Sequence, residues 1–364
     1  MYKAAIRPIL FALPPGSAHA AAFAALAPFE RSGALRVMLR AAIAPPDDDR
    51  IAVRLLGLKF PSPVGLAAGF DKNAARPRAL GALGFGHLEL GTVTALAQRA
   101  NPSPNLFRLP SDRALVNRLG FPNQGAARVS ARLAAARPAL RVPVGMSIGK
   151  SRVVAVDDLR AVIDDYVTAF DCVRPVADFV VVNVSSPNTA GLRSLQSREH
   201  AQALLTTLVG RAGPAYPILV KIAPDLSDGA LEDVLSVVDE VGIAGVVATN
   251  TTTGRAGLRT NPEEVRAMGA GGLSGAPLRP RAVAIIRRVR ARLGRRAAVI
   301  GVGGVETADH ALSLIVAGAD LVQMYTGLIY EGPAAPARIA RELARAVARE
   351  GVHNIAELVG RGGT

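Results

Sequence analysis

Aromatic side chains and cysteine are scarce in this chain of 364 residues. Aromatics make up 4% of the residues, tryptophan is absent, and Cys172 is the single cysteine. Few rings are therefore available to stack on bases, so we expect no nucleic-acid partner. A lone cysteine cannot form a disulfide within the chain and is typical of a reducing compartment.

Two further signals are missing. No stretch approaches the ~20 consecutive apolar residues that a transmembrane helix needs. The five histidines are scattered and show none of the spacings of a metal site, so no metal is predicted. They are His19, His87, His200, His310 and His353.

Positive charge is abundant and is carried mainly by arginine. The formal net charge is +14, and 38 of the 43 basic residues are Arg. This excess indicates an anionic partner, and the shortage of aromatics favours an acidic membrane surface or a phosphorylated ligand over nucleic acid. Three of the five lysines, Lys72, Lys150 and Lys221, lie in or just after apolar, β-like runs. Lysine is a compact point charge whose pKa responds to burial, so these three are candidates for chemistry.

The first 45 residues differ from the rest of the chain. They begin like a cleavable signal peptide, but the apolar run is too short for one. Ser17 is predicted to cap a helix that runs to about Phe29, and Gly33 opens a second helix. The side chains that share one face of the second helix are Leu35, Met38, Leu39 and Ala42. Two short Arg-rich amphipathic helices suit a membrane interface, and a helical hairpin packed on its own domain is the alternative.

A linker, Pro45–Asp49, then separates residues 1–45 from a second domain, residues 46–364. In that domain eight apolar runs alternate with helical segments such as 159–174, 229–241, 280–293 and 307–317. The runs are VGLAAG (64–69), HLELGTV (87–93), PVGMSIG (143–149), DFVVVNVS (178–185), PILVKIA (217–223), GVVATNT (245–251), AAVIGVGG (297–304) and LVQMYTG (321–327). Eight strand–helix units of similar spacing predict an α/β fold, a (β/α)8 TIM barrel, with a doubly wound sheet as the alternative. Residues 53–58 and 59–63 are predicted to form a hairpin under the barrel.

Polar or glycine residues stand at nearly every strand end, where such barrels place their chemistry. The fourth run is the clearest case, because Asn183 interrupts a buried apolar strand and Ser185 and Ser186 follow it. The glycine-rich ends of strands 7 and 8, with Gly272–Gly275 before them, would let backbone N–H groups approach a phosphate. Lys221 lies inside strand 5 and is predicted to point into the barrel.

Nine motifs in order make the chain after residue 50 resemble the dihydroorotate dehydrogenases. They are SPVGLAAGFDKN, ELGTVT, NRLGFPNQG, NVSSPNTAGLRSLQ, VKIAPDLS, ATNTT, GGLSG, GVGG and QMYTG. The N-terminal segment, with His19 in SAHA as a candidate quinone contact, resembles the quinone-dependent, membrane-associated class 2 of that family. Class 1 members use a cysteine base, and Cys172 precedes strand 4, far from the base position.

The resemblance implies FMN at the barrel mouth and oxidation of dihydroorotate to orotate in pyrimidine synthesis. The FMN contacts it implies are Ala68, Gly69, Lys72, Thr92, Ser147, Asn183, Lys221, Thr249, Gly275, Gly304, Tyr325 and Thr326. The substrate contacts it implies are Lys72, Asn117, Arg118, Leu119, Gly120, Phe121, Asn183, Asn188, Asn250 and Thr251. Ser186 would be the catalytic base, and Lys221 would stabilise negative charge on the reduced flavin. A membrane quinone would enter between the N-terminal helices, and the enzyme would lie peripherally on the cytoplasmic face of the cell membrane.

Three positions depart from the family pattern. Ser147 stands where the family has Asn, and residues 94–98 replace its Pro/Arg-rich loop after strand 2. The Arg expected near the quinone tunnel is replaced, on this interpretation, by Asn105. A different FMN barrel, such as a tRNA dihydrouridine synthase, is the enzymatic alternative, and a membrane-bound binding protein is the non-enzymatic one.

Overall fold

Eight parallel strands close into a barrel in the computed structural model, which describes residues 2–362. Numbered β1 to β8 in chain order, they are Val64–Leu66, His87–Val93, Val144–Ile148, Phe179–Asn183, Ile218–Ile222, Gly245–Ala248, Ala298–Val302 and Leu321–Met324. Each strand pairs with its chain neighbours, and β8 pairs with β1 to close the ring. The strands are buried almost throughout, which explains their continuous apolar runs. The (β/α)8 prediction is confirmed, and the doubly wound alternative is wrong because the sheet is closed.

Helices surround the barrel. They are Pro77–Gly81, Ala126–Ala136, Leu159–Val173, Arg198–Ala212, Asp228–Val241, Pro262–Ala267, Arg279–Leu293, Ala308–Ala317, Thr326–Glu331 and Ala335–Arg349. The four helices predicted individually lie within one residue of their expected bounds. Local capping explains this accuracy: the Asp158 and Thr307 side chains accept hydrogen bonds from the first turns of their helices.

A small antiparallel hairpin lies under the barrel, as predicted, with shorter strands at Val53–Leu55 and Leu58–Phe60. Phe60 is fully buried and meets the ring of His87, at the start of β2, edge-on at a centroid distance of 5.5 Å. The hairpin therefore closes the amino-terminal end of the barrel.

A three-stranded antiparallel sheet, absent from the sequence-based prediction, stands beside the barrel mouth. Its strands are Leu106–Leu109, Ala114–Asn117 and Gly272–Gly275. The third strand comes from a segment about 150 residues away from the other two, so no local pattern indicates the pairing. A separate apolar cluster, formed by Leu109, Ala114, Val116 and Leu273, supports the sheet.

The N-terminal helical segment contains more helices than predicted. It consists of Tyr2–Ile6 (a π-helix), Arg7–Ala12, Pro15–Ala25, Ala27–Arg31 and Gly33–Ile43. The predicted cap at Ser17 is wrong: the helix begins at Pro15, because proline fits the first helical position, and Ser17 lies inside its first turn. The last helix begins at Gly33 as predicted, and the Ser32 hydroxyl accepts its capping bond from Leu35 N–H.

The predicted apolar face of that last helix needs correction. Met38 and Ala42 are exposed, whereas Leu39 and Ile43 pack toward the barrel. A helix turns 100° per residue, so the buried stripe runs one position later than expected. Val37 lies on the opposite side of the helix and is 67% exposed.

Hydrogen bonds and ion pairs fasten the N-terminal segment to the barrel. The Tyr2 hydroxyl donates to Ile329 O at 2.7 Å, and Lys3 pairs with Glu331 at 2.8 Å. The Glu30 carboxylate accepts from Ala79 N–H at 3.0 Å. These contacts agree with the alternative prediction, a helical hairpin that packs on its own domain. Among residues 2–362, no helix is both long and apolar enough to cross a bilayer.

Candidate active site

One cavity at the carboxyl ends of the barrel strands collects almost all of the predicted site residues. Nineteen of the 21 residues expected around the barrel mouth line it: Ala68, Gly69, Lys72, Thr92, Asn117, Leu119, Gly120, Phe121, Asn183, Ser186, Asn188, Lys221, Thr249, Asn250, Thr251, Gly275, Gly304, Tyr325 and Thr326. They meet there because parallel strands bring their ends to one rim.

Ser147 and Arg118 do not line this cavity. Ser147 is fully buried behind Thr92, and the two hydroxyl oxygens lie 2.8 Å apart. The Arg118 guanidinium turns away and donates to the carbonyls of Pro104 and Met268. The run from Asn117 to Phe121 leaves its strand after Asn117 and turns at Gly120 and Phe121, where φ is positive, so its side chains point in different directions.

Asparagine side chains form the polar wall of the cavity. The Asn183 amide donates to Thr92 Oγ1 at 3.0 Å and accepts from Asn250 Nδ2 at 3.2 Å. Asn188 Nδ2 donates to Asn117 Oδ1 at 3.0 Å. Two buried polar atoms of the cavity lining, Asn188 Oδ1 and Thr251 Oγ1, have no hydrogen-bond partner in the described part of the chain. The wall therefore offers both donors and acceptors to a flat ring that carries carbonyl and N–H groups.

The two adjacent serines have different surroundings. Ser186 lines the cavity, and its Oγ accepts from Asn188 N–H at 3.2 Å. Ser185 is fully buried outside the lining, and its Oγ accepts from Asn250 Nδ2 at 2.9 Å. Strand alternation does not explain this difference, because β4 ends at Asn183. Ser185 therefore supports two lining amides, while Ser186 presents its hydroxyl to the cavity.

Lys72 places an ammonium group at the rim. Its Nζ donates to Gly69 O. Desolvation lowers the pKa of Lys72 to about 8, an effect that the carboxylate of Asp71 partly opposes. Three backbone N–H groups, from Asn73, Ala75 and Arg76, hold that carboxylate in place. At neutral pH the protonated Lys72 suits a ligand carboxylate.

Lys221 points into the barrel, as predicted, and forms an ion pair with a residue that sequence reasoning missed. Its Nζ lies 3.6 Å from Glu89 Oε1, with both side chains buried. Gln323 Nε2 donates to the other oxygen of Glu89 at 2.7 Å. A glutamate inside the fully buried strand HLELGTV was the available signal. The third lysine singled out, Lys150, instead donates to backbone carbonyls of Ser151 and Val154.

Glycines shape the opposite side of the cavity. A Cβ on Gly275, where φ is +102°, would lie 2.3 Å from Arg113 O, and one on Gly304 would lie 2.9 Å from Gly275 O. Only glycine allows these backbones to approach one another so closely. The hydroxyls of Ser274 and Thr326 stand 2.8 Å apart beside them. This is a set of backbone and hydroxyl donors of the kind that holds phosphate.

A second cavity, apolar and about 380 Å³ in volume, lies between the N-terminal helices and the barrel. Leu106, Leu115 and Tyr325 line both cavities and form the wall between them. The apolar cavity contains His19, whose ring meets Phe70 edge-on at 5.4 Å, and Phe70 in turn meets Tyr325 at 5.6 Å. Aromatic rings thus connect the two spaces.

Two polar side chains enter the apolar cavity. Desolvation lowers the pKa of His19 to about 4, so its imidazole is neutral at physiological pH. The Arg108 guanidinium lies 4.7 Å from the Phe11 ring centroid and donates to the carbonyls of Phe11 and Leu13. Arg108 thus brings a positive charge to this cavity, whereas Asn105, three residues earlier, does not line it. Residues 94–98, the other predicted departure, do not line this cavity.

The family model for dihydroorotate dehydrogenase matches residues 50–347. The chain belongs to the dihydroorotate dehydrogenase family. Dihydroorotate dehydrogenase (quinone) of Thermobifida fusca is 51% identical over 350 residues, covering 94% of this chain and 92% of the relative. The Nocardia farcinica protein of the same name is 49% identical, covering 99% and 96%. These relatives place the chain in the quinone-dependent class 2 of the family.

Solved structures agree. A ligand-free dihydroorotate dehydrogenase from Eimeria tenella is 34% identical, with a TM-score of 0.81, and covers 91% of this chain and 98% of its own. The same protein in complex with ferulenol gives a TM-score of 0.80, covering 89% and 92%. Cys172, the single cysteine, does not line the polar cavity at the strand ends: it lies on helix Leu159–Val173, on the outside of the barrel.

Proposed function

We propose that the chain oxidises (S)-dihydroorotate to orotate with bound FMN and passes the electrons to a membrane quinone. This reaction is the redox step of de novo UMP synthesis. The observation that carries the proposal is the pair of adjoining cavities, one polar and one apolar, with a shared wall of Leu106, Leu115 and Tyr325. A polar substrate would fit the first cavity, and an apolar electron acceptor would fit the second.

The polar cavity has groups that fit FMN. The close-packed Gly275 and Gly304 backbones and the Thr326 hydroxyl suit its phosphate, and Lys221 suits the pyrimidine side of its ring. When bound, FMN supplies a hydride acceptor and a two-electron carrier, chemistry that no amino-acid side chain provides. Ser147 contributes indirectly, through its contact with Thr92.

The substrate is held by amides and one ammonium group. Asn117, Asn188 and Asn250 present donors and acceptors to the pyrimidine edge, and Lys72 binds the C6 carboxylate. These contacts orient the ring so that one face meets Ser186. Orientation of this kind is a large part of the rate enhancement available to an enzyme.

Ser186 removes the C5 proton of dihydroorotate while the hydride departs from C6. A serine hydroxyl is a weak base, and it can accept the C5 proton only as its own hydroxyl proton passes to solvent. As that proton leaves, negative charge develops on the serine oxygen and must be stabilised. The N–H of Asn188 donates to that oxygen at 3.2 Å and is already in place. The hydrogen bond from such a fixed donor strengthens as charge develops on the oxygen. It therefore lowers the barrier, and the donor does not have to move first.

The apolar cavity provides the proposed quinone site. Neutral His19 and the Arg108 guanidinium are hydrogen-bonding groups inside an otherwise apolar space, as a quinone with polar oxygens and an apolar body requires. Phe70 contacts the His19 ring on one side and the Tyr325 ring on the other. These three rings lead from the apolar cavity to the polar one.

An anionic membrane surface is the proposed docking partner, with the protein peripheral on the cytoplasmic face. Five of the seven large hydrophobic side chains exposed among residues 2–362 are in the N-terminal segment: Ile6, Ile9, Leu13, Val37 and Met38. Beside the last two, a groove is lined by Arg36, Arg40, Arg78 and Arg141. Exposed apolar residues next to arginines are typical of helices that lie in the membrane interface.

Anaerobic bleaching of the flavin tests the proposed activity. The purified protein should be yellow and contain FMN, and dihydroorotate should bleach its visible absorption, whereas RNA should not. Added quinone should restore the colour. A colourless protein after reconstitution with FMN, or a spectrum that dihydroorotate leaves unchanged, would contradict the proposal.

Vesicle sedimentation tests the membrane partner. The protein should sediment with phosphatidylglycerol vesicles more than with phosphatidylcholine vesicles, and a double variant Arg40→Gln, Arg141→Gln should reduce that difference. The double variant Arg287→Gln, Arg349→Gln is the matched control, because it also removes two exposed arginines, on helices Arg279–Leu293 and Ala335–Arg349. Equal sedimentation of all three proteins with both vesicles would disprove an anionic docking surface.

A further inference from the structure

Four polar side chains form a network inside the barrel, immediately below the polar cavity. Lys221 from β5 faces Glu89 from β2, and Gln323 from β8 donates to Glu89. Gln323 Nε2 also lies 3.3 Å from His87 Nε2, two residues before Glu89 on the same face of β2. Only Lys221 and Gln323 reach the cavity surface.

Burial of these polar groups costs folding free energy, so a role other than stability would explain their presence. Glu89 and His87 are fully buried, and Glu89 Oε1, Gln323 Oε1 and His87 Nδ1 have no hydrogen-bond partner within residues 2–362. A buried carboxylate pays a large desolvation penalty that its ion pair only partly offsets. A well-packed apolar set of similar size would serve barrel stability at least as well.

The other two side chains of the network, His87 and Gln323, place no further charge beside the Glu89–Lys221 ion pair. Desolvation lowers the pKa of His87 to about 3, so this imidazole is neutral and adds no positive charge beside Glu89. Glycine at position 65 makes room for it, since a Cβ there would lie 2.1 Å from the ring. Among residues 2–362, Glu89 is the one acidic group within 4.0 Å of the Lys221 ammonium. The charge that Lys221 presents to the cavity is therefore governed by Glu89.

We propose that Glu89, held in place by the Gln323 amide, is a positioning residue for Lys221 and limits the positive charge that this lysine presents to bound FMN. This inference rests on the proposed function. A lysine without a counter-ion would stabilise the negative charge of the reduced flavin most strongly, which favours reduction by substrate and opposes transfer to quinone. Glu89 offsets part of that charge, so that both half-reactions remain favourable.

The reduction potential of the bound flavin is the decisive measurement. In Glu89→Gln, which keeps the shape but removes the charge, the two-electron midpoint potential should become more positive than in the parent protein. Stopped-flow absorbance should show flavin reduction by dihydroorotate at least as fast as in the parent, and reoxidation by a soluble quinone several-fold slower. A merely structural carboxylate would slow both half-reactions or neither, and would leave the potential unchanged.

Two further variants keep the test informative. Glu89→Asp keeps the charge but withdraws it from Lys221, so a smaller positive shift in the same direction is expected even if Glu89→Gln folds poorly. Asp320→Asn is the matched control, because Asp320 is a buried acid paired with Arg290 at 2.5 Å, just before β8 at the other end of the barrel. It should lower the melting temperature without moving the potential.

The outcomes separate this inference from the proposed function. If the parent protein binds FMN and is bleached by dihydroorotate, while the Glu89 variants have unchanged or more negative potentials, the role of Glu89 is disproved and the activity stands. If dihydroorotate does not bleach the parent protein, the proposed function is disproved, and the role of Glu89 that rests on it is disproved with it.

Discussion

The polar and the apolar cavities were built by different parts of the chain and by different physical rules. The polar cavity is made by strand ends that converge because the barrel closes. The apolar cavity is made where the N-terminal helices rest on the barrel, and its residues come from helix faces and from the antiparallel sheet. The strand ends and their loops thus supply the hydrogen-bonding groups of the polar cavity, whereas the N-terminal helices supply most of the apolar lining of the second cavity.

The wall residues contact both cavities, yet they separate a polar environment from an apolar one. Burial raises the pKa of Tyr325 to about 12, so this wall residue stays uncharged across the physiological range. Leu106 and Leu115 complete the wall. Changes on one side should therefore affect one half-reaction selectively, and this selectivity can be measured.

Ser186→Ala should have the largest effect, and only on the polar side. Loss of a general base typically costs about 10²–10⁴-fold, so flavin reduction by dihydroorotate should slow by that order. Reoxidation by quinone should be nearly unchanged, because it needs no substrate proton. Stopped-flow absorbance of each half-reaction measures both.

Ser194→Ala is a better control for this variant than Ser185→Ala. Ser194 is exposed in the same loop and donates to Gly191 O, whereas Ser185 holds Asn250. Parental reduction rates in Ser186→Ala would show that another group is the base.

Lys221→Ala should be next in size. Removal of one electrostatic stabiliser costs about 10²–10³-fold when it acts on developing charge. We expect slower flavin reduction and weaker FMN retention, measured by stopped flow and by equilibrium dialysis. The variant also leaves Glu89 buried without its ion pair, so unfolding temperature must be measured alongside. Normal flavin content and a normal reduction rate would indicate a structural lysine.

Lys72 should give an alkaline limit to kcat/KM. Its pKa is lowered to about 8 in the free protein, so the ammonium that binds the substrate carboxylate is lost as pH rises through that value. Above pH 8, kcat/KM should fall about tenfold per pH unit, whereas kcat should hold to higher pH because bound carboxylate favours the protonated form. Lys72→Gln should have a low kcat/KM without this alkaline decline. A parental profile that stays flat to pH 10 would rule out the role.

Filling the apolar cavity should have the smallest effect, and only on the quinone side. Ala22 lines that cavity, so Ala22→Phe should slow reoxidation by a long-chain quinone several-fold while reduction by dihydroorotate is unchanged. Ala24→Phe, on the exposed side of the same helix, is the control. Equal quinone rates in both variants would show that quinone does not use this space.

The polar site could be predicted from sequence because it depends on a regular repeat. Once eight strands are recognised, closure places residues 69, 183 and 250 on one rim, whatever their separation along the chain. Two of the predicted residues do not line the cavity. Arg118 and Ser147 were assigned by motif alone, and a motif specifies position along the chain, not the direction in which a side chain turns.

The sequence alone determined the barrel, its helices and the composition of its mouth, because hydrophobic periodicity and strand-end chemistry are local properties. Only the tertiary structure decided the ion pair of Glu89 with Lys221, the third strand at Gly272–Gly275 and the placement of Arg108 under the N-terminal helices. Each of these joins segments separated by about 95 to 155 residues. Such contacts are set by three-dimensional packing, and no pattern within a window of sequence specifies which distant partner a residue will meet.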